Sequence, residues 1–175
     1  KIMRNISLLF LVIFIYITYH VLVHLPLIDF RAYAIGKNIQ QGMEFKVGSD
    51  ELPPVHDFFL ESETEDLTKL ILNADKAMLI VSYDIEDSNL ESFSYLKEVA
   101  ENAISKGYIV YGVSASSSED TLLIQKENAL PFKFLFCDGT TLKTIIRSNP
   151  GIVILNRGTV VGKWSWKDAI HVFNE

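Results

Sequence analysis

Cysteine is almost missing from this chain: its 175 residues contain one, Cys137. A single thiol cannot form an internal disulfide, a Cys-x-x-Cys pair or a cysteine-rich zinc cluster. Glycine and proline are also scarce, at nine and five residues, which excludes collagen-like and low-complexity classes. Basic residues are in deficit, with 16 Lys plus Arg against 22 Asp plus Glu and a net charge of −6. Such a chain repels a phosphate backbone, so nucleic acid is excluded as a partner class. Apolar material is abundant instead: 49% of residues are hydrophobic, among them 11 Phe and 7 Tyr. That composition fills the core of one modest domain plus one extra element and argues against both disorder and a two-domain enzyme.

The extra element is a long apolar run. Ile6 to Leu25 reads ISLLFLVIFIYITYHVLVHL, without formal charge when both histidines are neutral, and matches the roughly 20 residues that cross a bilayer as a helix. Backbone groups in lipid must be satisfied within the segment, which leaves a helix as the form it can take. Tyr16, Tyr19 and His20 fall toward the far end, where amphipathic rings suit the interface, and Pro26 supplies a stop. Residues 5–26 are therefore expected to span a membrane, within an N-terminal segment 1–28. A cleaved signal peptide competes with this reading, because Lys1 and Arg4 resemble a charged leader. The run is longer than a leader's apolar core, however, and the nearest small-x-small triplet, Ala32-Tyr33-Ala34, lies well beyond it. Lys1 and Arg4 before the run balance Arg31 and Lys37 after it, so charge leaves the orientation open. Setting aside the two basic residues of the segment leaves 14 basic against 22 acidic residues, a net −8, on a part expected to stay in solution and off anionic lipid.

Residues 29–54 read as a connector, since Gly36, Gly42, Gly48, Pro53 and Pro54 interrupt any period. From residue 55 to 175 strands and helices alternate. The predicted order is a strand over Val55–Glu61, a short helix capped by Asp66, and an apolar strand over Ala77–Tyr83. A long helix follows, capped by Ser88 or Asn89 and carrying Phe93, Leu96, Val99, Ala100 and Ala103 on one face. Next come a strand over Tyr108–Ser114, a helix from Ser118 to about Ala129, a strand over Phe132–Cys137 and a short helix over Thr140–Ile146. Gly151–Leu155 and Thr159–Trp164 flank Asn156-Arg157-Gly158 as a hairpin, and Trp166–Phe173 closes the chain as a helix. This order predicts an α/β domain with a mixed sheet flanked by helices.

The run Ser148-Asn149-Pro150-Gly151-Ile152-Val153-Ile154-Leu155, followed by Asn156 to Gly162, resembles the thioredoxin superfamily, in which a cis-proline loop leads into such a hairpin. The resemblance implies that Pro150 is that cis-proline. It further implies that Ala77–Tyr83 and the helix after it form the junction where active members carry Cys-x-x-Cys. Here the junction reads Tyr83-Asp84-Ile85-Glu86-Asp87-Ser88-Asn89-Leu90, with neither the attacking thiolate nor the resolving thiol that exchange requires. Three further blocks, His24–Arg31 with Ile35–Ile39, Thr141–Gly151 and Lys163–Trp166, resemble DoxX-like membrane proteins of Bacteroidetes type. That likeness implies the C-terminal part of such a protein: a last membrane helix and a thioredoxin-like tail, with further membrane helices upstream and the tail in the periplasm. The function implied is a membrane-anchored binding or structural module, without dithiol redox activity and without a cofactor, serving an unknown protein partner. The alternative is a subunit of a quinone-linked sulfur (thiosulfate) oxidoreductase whose chemistry lies outside this segment.

The vestigial site implied by the resemblance comprises Asp84, Glu86, Asp87, Ser88, Arg147, Asn149 and Pro150. Its acidic residues suit the start of a helix by capping and the macrodipole, and they lack the glycine-centred spacing of a calcium loop, so no metal is assigned. Arg147 either holds a peptide or anion beside Pro150 or pairs with Glu86 or Asp87 across the site. Cys137 is either a reactive thiol near a helix start or, as its Phe134-Leu135-Phe136 context favours, a buried core residue. His20 and His24, four apart, share a helix face, where interfacial hydrogen bonding is favoured over ligation.

Overall fold

Five strands form one sheet, in the order β3-β2-β1-β4-β5. They are β1 (Ala77–Val81), β2 (Ile109–Ser114), β3 (Phe134–Phe136), β4 (Gly151–Asn156) and β5 (Thr159–Ser165). The structure is a computed structural model that describes residues 2–26, 28–45 and 51–173. β1 pairs in parallel with β2, and β2 with β3, whereas β4 runs antiparallel to both β1 and β5. This is the mixed sheet that the alternation predicts. Every residue of β1 is buried, as expected of a central strand covered on both faces. Its side chains alternate between two cores. Ala77, Leu79 and Val81 meet Val153, Leu155, Leu142 and Ile145 on one face, while Met78 and Ile80 meet Ile152, Phe93, Leu96 and Ala100 on the other.

The helices are α1 (Ile2–Val23), α2 (Ile39–Gly42), α3 (Thr68–Asn73), α4 (Ser92–Ser105), α5 (Ser118–Glu127) and α6 (Gly139–Ile145), and a 3-10 turn, Trp166–His171, closes the chain. Local chemistry sets most of their ends. The Ser117 hydroxyl accepts from Asp120 N at 3.2 Å to start α5, and Asp138 accepts from Thr140 N at 2.8 Å to start α6. Arg157 and Gly158 both take positive φ, 46° and 74°, the backbone of a two-residue turn whose twist matches the paired strands.

Two expectations need correction, and a third is not shown. The predicted strand Val55–Glu61 makes two isolated antiparallel bridges, both at Glu61, to Asp66 and to Phe136 in the sheet. β3 at that edge is three residues long and offers no more, while Val55, Phe58 and Leu60 plug the core. Residues 29–54 are no free connector in their described part: Tyr33 and Ile39 are 3% and 1% exposed. Gly36 N donates to Val160 O at 2.8 Å and Val160 N to Lys37 O at 2.9 Å, so the segment pairs along the otherwise open edge of β5. Gly48 lies outside the described residues. The expected span 5–26 is likewise not shown. The helical backbone of α1 has 22 residues, but it stops at Val23, and its described side chains run from Asn5 to His20. Among the described residues no helix is long and apolar enough to cross a membrane.

The segment after α1 is held by charge. Asp29 accepts from Arg31 Nε at 2.7 Å, from Arg31 Nη2 at 2.9 Å and from Lys163 Nζ at 2.7 Å. The Lys163 side chain is 4% exposed and that of Asp29 16%. Burial works to raise the Asp29 pKa, but the hydrogen bonds from Arg31 and Lys163 outweigh it and hold the carboxyl well below the usual range. Lys163 is pushed down by burial and partly restored by Asp29. Removing one partner of a buried pair leaves the other charge uncompensated. Asp29→Asn is therefore expected to lower the stability of the full chain, measured by urea unfolding at neutral pH, by about 3 kcal/mol. Because the carboxyl pKa is depressed on folding, its contribution is present above the unfolded value of about 3.9 and is lost as pH falls through and below it. The wild type's advantage over Asp29→Asn should accordingly shrink on acidification from about pH 5.

Candidate functional site

The β1–α4 junction follows directly from the all-apolar β1. Ser82, the first polar residue after it, is fully buried, and Ser82 N donates to Val113 O at 2.9 Å, extending the β1–β2 pairing by one step. A buried hydroxyl needs a partner. Ser82 Oγ lies 2.5 Å from Ser88 Oγ, and Ser88 Oγ donates to Asp84 O at 2.6 Å, so the Ser82 hydroxyl donates to Ser88. The same Asp84 carbonyl accepts a second bond, from Asn149 Nδ2 at 2.7 Å.

The bond from Asn149 crosses to the loop before β4, where the Asn149–Pro150 peptide is cis. Ser148 Oγ donates to Pro150 O at 2.5 Å and lies 3.1 Å from Ser165 Oγ, fixing that loop to the end of β5. On the other flank, Ile85 N donates to Ser116 Oγ at 3.0 Å and Ser116 N to Ser114 Oγ at 3.1 Å. One hydroxyl, that of Ser116, and one amide, that of Asn149, thus join three loops, those after β1, after β2 and before β4.

Asp84 also turns its carboxylate back on its own loop, where Oδ1 accepts from Glu86 N at 3.1 Å. The expected helix start at Ser88 or Asn89 therefore moves. α4 begins at Ser92, because Ser88 points inward to Ser82 and Asp84 rather than capping. Glu86 and Asp87 are exposed. Arg147 is exposed as well, and among the described residues no ion pair joins it to either carboxylate. The structure therefore does not show the pairing reading of Arg147. The loop carrying it is engaged through its backbone instead, since Tyr83 Oη donates to Arg147 O at 3.4 Å. Lys143 Nζ sits 5.3 Å from the centre of the Tyr83 ring, and burial, followed by the Asp87 and Asp84 charges, pushes the Tyr83 phenol up.

The structure therefore brings Asp84, Ser88, Asn149 and Pro150 together and leaves Glu86, Asp87 and Arg147 facing solvent around them. Sequence reasoning missed Ser82, Ser114 and Ser116. The available signal was a serine directly after five apolar strand residues, a position where a hydroxyl must find an internal partner. The amide oxygen of Asn149 is buried and without a hydrogen-bond partner.

Cys137 stands elsewhere. It is 1% exposed in the core with Tyr33, Phe58 and Leu142, and burial pushes its thiol up to about 11, the opposite of a reactive thiolate. The reactive reading is overturned. Cys137 follows β3 and Pro150 precedes β4, and three strand spacings separate those strands, about 14 Å across the sheet. His24 Nδ1 lies 2.9 Å from Asp168 Oδ1, while the His20 and His24 rings meet tilted by 40° with centres 5.0 Å apart.

No family model and no curated protein matches the sequence. Solved structures do resemble the fold. A conserved protein from Geobacillus kaustophilus is 12% identical, with 75% of this chain and 68% of that one covered and a TM-score of 0.51. A thioredoxin-like protein from Aeropyrum pernix is 14% identical, covers 66% and 88%, and has a TM-score of 0.50. A thiol:disulfide interchange protein from Bacteroides sp. is 16% identical, covers 61% and 75%, and has a TM-score of 0.48. The fold is thioredoxin-like, an α/β mixed sheet flanked by helices.

The shared acceptor gives the site a measurable signature. Ser88→Ala and Asn149→Ala each leave Asp84 O with one donor, whereas the double variant leaves it with none. Each single change is expected to cost about 1–3 kcal/mol in urea unfolding of the full chain. The double variant should cost more than their sum by about 0.5 kcal/mol or more.

Proposed function

We propose that this chain is a membrane-anchored thioredoxin-like domain that binds or positions a protein partner and performs no dithiol exchange. The observation that carries the reading is the Ser82, Ser88, Asp84 and Asn149 network. It occupies the junction at which the fold's active members place their thiols, and fills it with internal hydrogen bonds. Dithiol exchange needs two sulfurs in reach of each other, and the one sulfur able to take part is buried with its thiol pushed up to about 11. The exposed Glu86, Asp87 and Arg147 leave a polar rim suited to holding an extended segment of a partner by hydrogen bonds.

Anchoring is supported by α1, whose side chains from Asn5 to Tyr19 are exposed around its whole circumference. An all-round apolar surface has no favourable place in water. The DoxX-like assignment draws support from the meeting of its sequence blocks in space. Asp29 of the first block bonds Lys163 of the last, and Arg31 Nη1 donates to Lys143 O of the middle one at 3.3 Å.

The test is insulin reduction by the detergent-solubilised full chain in the presence of dithiothreitol. The expected rate equals that of dithiothreitol alone. A clear acceleration above it would overturn the non-redox reading.

A further inference from the structure

The segment that leaves α1 is turned inside out. Ile28 and Phe30 are 69% and 92% exposed, and no other large apolar side chain among the described residues matches Phe30. Between and after them, Asp29 and Arg31 point toward the domain, with side-chain exposures of 16% and 22%. A segment on a water-facing surface has the opposite alternation, and a shift of one residue would restore it. The buried Lys163 forbids that shift, because Asp29 is its counter-charge at 2.7 Å. The clamp therefore spends ionic contacts on holding two large apolar side chains outward.

The surroundings continue the pattern. Leu25, Pro26 and Ile35 line a small cleft of about 90 Å³ beside Asp29, Arg31 and Lys163, and Ile35 is itself 61% exposed. His24, the residue after α1, is bonded to Asp168 in the closing 3-10 turn, so this face of the domain is held directly at the helix end.

We infer that Ile28 and Phe30, fixed outward by the Asp29–Lys163 clamp, form a wedge that seats the domain in the lipid interface next to α1. The inference rests on the membrane-anchored reading and deepens it. Lipid suits the wedge because Ile28 follows the end of α1 by five residues, and the described side chains of that helix from Asn5 to Tyr19 are exposed all round rather than along one stripe. The net −8 of the rest of the chain disfavours attraction to anionic headgroups, so the seating is apolar and insensitive to salt.

The experiment attaches an environment-sensitive fluorophore to single introduced cysteines in the full chain: Phe30→Cys, Ile28→Cys, Leu122→Cys on α5 at the far sheet edge, and Val12→Cys in α1. The wild type, with its buried Cys137, is the labelling blank. Each protein is reconstituted into phosphatidylcholine vesicles with or without nitroxide-bearing lipid. A wedge lying about 5–10 Å into the boundary predicts roughly two-fold or greater quenching at positions 28 and 30 and none at 122, unchanged in high salt. Quenching at position 12 without quenching at 28 and 30 would overturn the wedge and leave the anchor standing, whether position 30 then reports water or a protein cover. Absence of quenching at position 12 would overturn the anchored reading itself.

Discussion

One carbonyl oxygen, that of Asp84, takes two hydrogen bonds from opposite sides, from Ser88 Oγ at 2.6 Å and from Asn149 Nδ2 at 2.7 Å. The loop leaving the central strand and the loop entering β4 are tied through this atom. Ser82, sealed beneath it, can discharge its proton donor only onto Ser88. In a low-dielectric interior each of these bonds is worth more than in water, and a broken one leaves a costly orphan. The arrangement favours one rigid geometry at this junction, with charge confined to the rim at Glu86, Asp87 and Arg147.

A second constraint acts at the opposite flank of the same hairpin. β5 would be an open edge, a ready template for unwanted pairing. The segment from Gly36 to Asn38 covers part of it through backbone bonds to Val160 and a bridge to Thr159. The Asp29–Arg31–Lys163 clamp and the His24–Asp168 contact then fix where α1 joins. The register of residues 28–31 and the outward orientation of Ile28 and Phe30 follow from one nearly buried ammonium group, that of Lys163.

Much of the fold was legible because local chemistry and global packing agree. The hairpin around Asn156-Arg157-Gly158 follows from turn residues that accept positive φ, and the all-apolar β1 follows from its composition. Burial of Cys137 follows from the aromatic strand before it. The failures share one cause, tertiary partners that a sequence does not display. Ser88 has the chemistry of a cap, yet a buried hydroxyl six residues earlier claims it, and α4 starts at Ser92. Val55–Glu61 is a strand-like run, yet the edge strand it meets is three residues long and pairs with it only at Glu61. Residues 29–45 carry the glycines of a connector, but Tyr33 and Ile39 anchor them in the core, and Lys163 gives Asp29 a reason to stay. Of the candidate site, the residues at the two loops could be named, whereas the bonds among them depend on Ser82 and Ser116, which look ordinary in the sequence.

Amide hydrogen exchange at Ile85 and Ser88 in the full chain tests the locked junction most directly. Ile85 N is held by Ser116 Oγ and Ser88 N by Ile85 O at 3.1 Å. The account predicts that both amides exchange as slowly as those of β1, and that Ser88→Ala speeds them while leaving β1 protected. Rapid exchange at both positions in the wild type, at the rate of an open loop, would contradict it.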